Sequence, residues 1–161
     1  MFKRLILIVV AVFLTACNPE PLTFGKNQLG QDVSVDEFVK RWIVVNYWAT
    51  WCAPCRKEIP ELNKLQTDNI DKAVLVVGVN FDKLQGTELE KSSEEMGIKF
   101  LVLADDPADR LRLPKAERLP VTYILNNKGM LVATLEGEQT QASIENKMKE
   151  LGWKGATEVA P

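Results

Sequence analysis

The segment Trp51-Cys52-Ala53-Pro54-Cys55 constrains this chain more than any other. It follows an apolar run, Trp42-Ile43-Val44-Val45-Asn46-Tyr47-Trp48, and precedes a stretch of helical periodicity. The motif therefore sits at the turn from a buried strand into a helix. Cys52 falls at the helix N-terminus, where unpaired backbone N–H groups and the macrodipole favour negative charge and stabilise a thiolate. Cys55 shares that helical face and is close enough for an unstrained bridge. Pro54 fits the first turn, where a missing N–H costs nothing. One thiol that attacks beside one that resolves is the equipment of dithiol–disulfide exchange.

A bare CxxC has other uses. It can be a structural disulfide, half of a zinc site, or a chance spacing. A closed zinc site takes four ligands, usually Cys or His. The chain has no His, and its third cysteine is Cys17, so a Cys/His site cannot close and no metal is expected. A structural bridge leaves Trp51 before the pair and Pro54 inside it without a purpose. A binding module holding Cu(I) on the soft thiolates of Cys52 and Cys55 is a different class of answer. No His or Met stands close to the motif to complete such a site. A lipid-anchored structural domain with a vestigial bridge is the third alternative.

The chain's 161 residues, 46% of them hydrophobic, suit one domain with a substantial core. The formal charge of −2 carries no basic bias toward nucleic acid. At the N-terminus, Lys3-Arg4 precede an uncharged run from Leu5 to Leu14, and Thr15-Ala16-Cys17 follow. The run is well short of the roughly 20 residues a spanning helix needs, and its flanks are those of a signal peptide. Small residues before a cysteine resemble a bacterial lipobox. That resemblance implies a signal peptide over 1–16, lipid attachment at Cys17, and a tether over 17–22. An ordinary signal peptide or a short uncleaved anchor are the alternatives. Export suits the cysteine usage, with Cys17 acylated and the other two paired. Asn18 stands where Gram-negative lipoproteins retained in the inner membrane commonly carry Asp. In such a host the cell envelope address is periplasm-facing, with the outer membrane favoured over the inner.

The stretch from Val45 to Glu58, VNYWATWCAPCRKE, resembles the signature of the TlpA-like (ResA-like) branch of the thioredoxin family. Those proteins are membrane-tethered, extracytoplasmic thiol–disulfide oxidoreductases. The similarity runs from about Leu22 to about Leu151. It implies an α/β thioredoxin-like fold over 23–152, with a central mixed β-sheet flanked by helices and an N-terminal β-hairpin; the residues after Gly152 read as a flexible tail over 153–161. It also implies a protein disulfide as substrate and an upstream membrane thiol as electron donor. Nothing resembles a nicotinamide or flavin site, so the Cys52–Cys55 disulfide is the expected redox group and no cofactor is expected. Ala53-Pro54 places no His between the cysteines, a common device of strong oxidants, so a reductase is favoured over an oxidase.

The resemblance also assigns supporting residues. In ResA-like proteins a Glu at the place of Glu58, in CxPCxxE, helps tune the cysteines. Glu58 lies one turn below Cys55, and a partly buried carboxylate there opposes a second negative charge. A solvated helix glutamate is the plain alternative. Asn46 stands where ordinary thioredoxins hold a buried Asp that handles protons; an amide cannot titrate. Composition favours a trans Leu119–Pro120 bond at the start of a strand. Thioredoxin-like proteins instead carry a cis proline here, so Pro120 is expected cis, with the Leu119 backbone offered to a substrate segment as in strand addition. CcmG-type relatives would show Pro-Glu-Thr at this place, and Pro120-Val121-Thr122 does not match.

Periodicity places a hairpin over 23–35 and a helical turn over 36–41, with Phe38 and Val39 inward. Strands follow at 42–48, 73–80, 100–104, 119–125 and 130–135. Helices are expected at 53–67, 87–96 and 141–151, the last with Ile144, Met148 and Leu151 on its apolar face. Pro60 lies inside the first of these and is expected to kink it.

Overall fold

The computed structural model describes residues 22–70 and 73–155. Its centre is a five-stranded mixed sheet in the order β5-β4-β3-β6-β7. Strands β3 (Trp42–Trp48) and β4 (Val74–Asn80) are parallel, and every residue of both is buried. Near-continuous apolar, β-branched runs of this kind belong to strands covered on both faces. Strand β5 (Leu101–Leu103) adds in parallel to β4, while β6 (Val121–Leu125) and β7 (Leu131–Glu136) are antiparallel.

The period of two along β3 divides the core. Trp42 and Val44 face helices α1 (Ala53–Asp68) and α4 (Gln141–Glu150), packing with Leu62, Leu65, Ile144 and Met148. Ile43, Val45 and Tyr47 face the other way, onto Phe24, Val33 and Phe38 of the N-terminal segment. That segment is a hairpin of β1 (Thr23–Lys26) and β2 (Asp32–Ser34). Its connecting loop closes the outer edge of β5: Gln28 N–H donates to Val102 O at 3.0 Å, and Val102 N–H donates to Gln28 Oε1 at 2.9 Å. A row of unpaired edge groups is thus satisfied within the chain. Helix α2 (Gly86–Glu95) buries Leu89, and the short α3 (Ala108–Leu111) lies in the segment before β6.

This is the thioredoxin-like arrangement with an N-terminal hairpin that the resemblance implied, and each expected strand and helix is present within a few residues. Three details differ. The expected helical turn is a 3-10 helix at Val35–Glu37; Phe38 is buried but Val39 is 53% exposed. Leu151, expected on the apolar face of α4, is 39% exposed at the helix C-cap. Trp153, assigned from sequence to the tail over 153–161, is only 4% exposed and belongs to the α1/α4 side of the core. The cause is the reversal at Gly152 (φ 103°), after which Trp153 N–H donates to Met148 O at 2.9 Å and the indole folds back under the helix. The expected signal peptide, Cys17, nearly all of the tether and the tail from residue 156 lie outside the described residues.

Candidate active site

Strand β3 ends at Trp48, and after three intervening residues Cys52 caps α1. Cys52 and Cys55 form a disulfide with their Cα atoms 5.3 Å apart. The Cys55 N–H, one of the helix's unpaired first-turn donors, points at Cys52 Sγ at 3.2 Å. Cys55 is fully buried and Cys52 is 4% exposed, so Cys52 is the sulfur nearer solvent. Both pack with Trp48, Ile59 and Leu89, and Leu119 packs against the same cluster.

The Leu119–Pro120 bond is cis, so the expectation from resemblance holds over the one from composition. Leu119 packs against the cluster that holds Cys52 and Cys55, from a segment more than sixty residues away in sequence. Pro54 occupies the first turn of α1 and is exposed. Pro60 also lies inside α1, on its exposed side.

Glu58 is fully buried, which disposes of the solvated alternative. Its Oε1 accepts from Asn46 Nδ2 at 2.7 Å, and its Oε2 accepts from the Gln139 N–H at 3.1 Å. Asn46 also donates to Thr122 Oγ1 at 3.0 Å, across the β3–β6 register that sets the two residues opposite each other. Burial pushes the Glu58 carboxyl up to about 7, against the opposing pull of the Asn46 and Gln139 hydrogen bonds; the nearby charge of Glu138 adds to the rise. One buried carboxyl thus ties together the cysteine helix, the central strand, the strand after Pro120 and the turn before α4.

Trp51 is 64% exposed, beside the more accessible sulfur. Its Nε1 donates to Asp82 at 2.9 Å, and its ring meets Phe81 edge-on at 6.2 Å between centroids. Beyond Phe81 lies an open cleft of about 530 Å³ whose walls include Tyr47, Lys83, Asp106 and Lys115. Neither cysteine lines that cleft. Among the described residues no group of three or more Cys, His, Asp or Glu side chains is arranged to hold a metal ion.

The sequence marks Asn46 as an amide in the place of a buried Asp but offers no means of pairing it with Glu58. Thr122 lies 76 positions from Asn46 and carried no signal of its own. The Gln139 donor is a backbone group, invisible to residue identity. Phe81 and Asp82, which steady Trp51, follow an apolar strand and could be taken for ordinary loop residues.

Residues 19–134 match the model of the AhpC/TSA family. The thioredoxin-like protein YneN of Bacillus subtilis is 31% identical over 125 residues, covering 76% of this chain and 72% of the relative. The thiol–disulfide oxidoreductase ResA of Bacillus thuringiensis subsp. konkukian is 25% identical over 122 residues, covering 76% and 70%. Among solved structures, a DsbF homologue from Corynebacterium diphtheriae superposes with a TM-score of 0.67 at 23% identity, over 81% of this chain and 85% of that one. StoA from Bacillus subtilis gives 0.62 at 23%, over 80% and 97%. These last two likenesses concern the fold.

Proposed function

The chain belongs to the AhpC/TSA family, as a thioredoxin-fold thiol–disulfide oxidoreductase, and from that premise we propose that it is an envelope-facing, lipid-anchored reductase of protein disulfides. The observation that carries this reading is the Cys52–Cys55 pair at the start of α1, set beside the cis Leu119–Pro120 bond and above a buried Glu58.

In the reduced enzyme the Cys55 N–H and the helix terminus favour a thiolate at Cys52. The thiolate attacks one sulfur of a substrate disulfide, forming a mixed disulfide and releasing the other sulfur as a thiolate that takes a proton. Cys55 then loses its proton, attacks Cys52 Sγ and expels the second substrate thiolate. The substrate leaves as a dithiol and the Cys52–Cys55 bond is made. Glu58, one turn below Cys55 and titrating near neutrality, is suited to receive the Cys55 proton. The exposed Trp51 ring and the Leu119 backbone offer a ledge for the substrate segment, and Pro54 holds the first helical turn in shape. The oxidised pair is returned to the dithiol by an upstream membrane thiol donor; the cysteines themselves are the only redox group required. Cys17 supplies the lipid anchor, so Cys17→Ser is expected to release the protein from membranes in cell fractionation.

The reduction potential of the pair tests the direction, in a form of the chain beginning at Asn18 and equilibrated with thiol redox buffers. A value near that of thioredoxin, about −270 mV, supports a reductase; one near the oxidant DsbA, about −120 mV, overturns it.

A further inference from the structure

The hydrogen-bond inventory around Glu58 is unbalanced at one atom. With the carboxyl ionised, Oε1 accepts from Asn46 Nδ2 and Oε2 from the Gln139 N–H. The second Asn46 N–H goes to Thr122 Oγ1. Asn46 Oδ1, in the same fully buried amide, has no hydrogen-bond partner among the described residues. A buried acceptor without a donor is costly, so the amide is held by the two bonds at its other end.

A proton on Glu58 changes which end of the Asn46 amide is paired, and in either state one end goes without a partner. A proton on Oε2 would oppose the Gln139 N–H. A proton on Oε1 would face the Asn46 N–H, donor against donor. A half-turn of the Asn46 amide removes the second conflict, because Oδ1 then faces both the Glu58 O–H and Thr122 Oγ1. The threonine hydroxyl changes from acceptor to donor by rotating its hydrogen. Both hydrogen bonds survive with their directions reversed. An amide facing a hydroxyl can do this; an aliphatic residue at position 46 cannot.

We propose that Asn46 and Thr122 are positioning residues that hold Glu58 in one place with or without its proton, the Asn46 amide turning over as the proton comes and goes. The inference deepens the role given above to Glu58 and rests on it for its link to the cysteines. Among the described residues, the charged or titratable groups around Glu58 are few. Glu138 approaches from the turn before α4, and Lys57 lies 3.9 Å from it. On α1 itself stand the two cysteines and, one turn on, Glu61, which accepts from the Gln141 N–H. From β3 and β6 the facing neighbours Val44, Trp48, Thr122 and Ile124 carry no charge.

The test uses the full chain in detergent, with carbon-13-labelled glutamate carboxyls followed by NMR across pH and the Glu58 signal assigned by its loss in Glu58→Gln. In parallel, the pH profile of Cys52 alkylation is recorded on the reduced protein. The wild-type Glu58 inflection is expected near 7, with the Asn46 side-chain amide signals moving at the same pH. Asn46→Leu, similar in size but without donor or acceptor, should raise Glu58 proton affinity about tenfold and carry the alkylation profile the same way. Thr122→Val should do so to a smaller extent, and Thr122→Ser should restore the wild-type profile. If Asn46→Leu does not fold, the Thr122 pair decides. An inflection unmoved by Thr122→Val and Asn46→Leu, or Asn46 amide signals that ignore the Glu58 titration, overturns the proposal. If Glu58 moves while the alkylation profile does not, the positioning stands and the influence of Glu58 on the cysteines falls.

Discussion

Asn46 and Tyr47 are neighbours on β3, point to opposite faces of the sheet, and each meets a carboxyl group. On one face Asn46 donates to Glu58, which is fully buried and pushed up to about 7. On the other, the Tyr47 hydroxyl donates to Asp106 Oδ1 at 2.5 Å, near the rim of the cleft. Burial first, and then that bond to a carboxylate, drive the phenol far above its ordinary range, so it keeps its proton. The two pairs look alike on paper and do opposite things. Burial against uncharged donors leaves Glu58 poised to titrate, whereas the phenol is locked out of titration and serves as a fixed strut. A single step along a strand separates chemistry from architecture.

The largest effect belongs to the face that carries the cysteines. Cys52→Ser should reduce insulin-disulfide reduction to background, while Cys55→Ser should retain attack and trap mixed disulfides visible on non-reducing gels. Next is the pH dependence of stability. Folded Glu58 binds its proton more tightly than the unfolded chain, from an ordinary 4.5 to about 7. Its stabilising contribution is therefore complete below about pH 4.5 and is lost as pH rises through about 7, a span on the order of 3 kcal/mol. Urea midpoints of wild type and Glu58→Gln, compared at mildly acidic and mildly alkaline pH, measure it; the variant should lack this component. Equal pH dependence in the two proteins would remove the contrast between the faces.

Gly78 probes the packing behind the same site. A Cβ there would stand 3.0 Å from Phe100 and from Trp48 Nε1, and 3.1 Å from Val102. Gly78→Ala should cost about 1–3 kcal/mol in chemical denaturation through overpacking of rings that cannot retreat. Tyr47→Phe sharpens the comparison from the other side. It should cost about 1 kcal/mol, because Asp106 Oδ1 keeps its bond from the Ala108 N–H, and the loss should be flat from mildly acidic to mildly alkaline pH. The smallest effect is at the surface: Glu95→Ala breaks the exposed 2.7 Å pair with Arg56 and should shift stability by less than about 1 kcal/mol.

Much of the fold was legible because its signals are local. The apolar run before the CxxC is a strand with the expected bounds, Trp42–Trp48, since nothing but a doubly covered strand buries seven such residues in succession. The chain from Ala53 shows a 3–4 spacing and becomes α1. Legibility failed where one residue's fate depended on a turn. Val39 and Leu151 carry apolar side chains at helical spacing, yet each sits just past the end of its helix and turns outward. Trp153 follows a helix-stopping glycine, a usual mark of a chain leaving the core, and the Gly152 reversal returns it there.

By itself the sequence determined the class of chemistry, because two thiols three apart at a strand–helix turn meet through local geometry alone. It also determined that α1 would bury Cys55 and Ile59, since helical spacing fixes which side chains share a face. Only the tertiary structure decided that Glu58 would be sealed from water and held by Asn46, Thr122 and Gln139. Those partners come from three other segments, and a pKa depends on what surrounds a group in space, not on its neighbours along the chain.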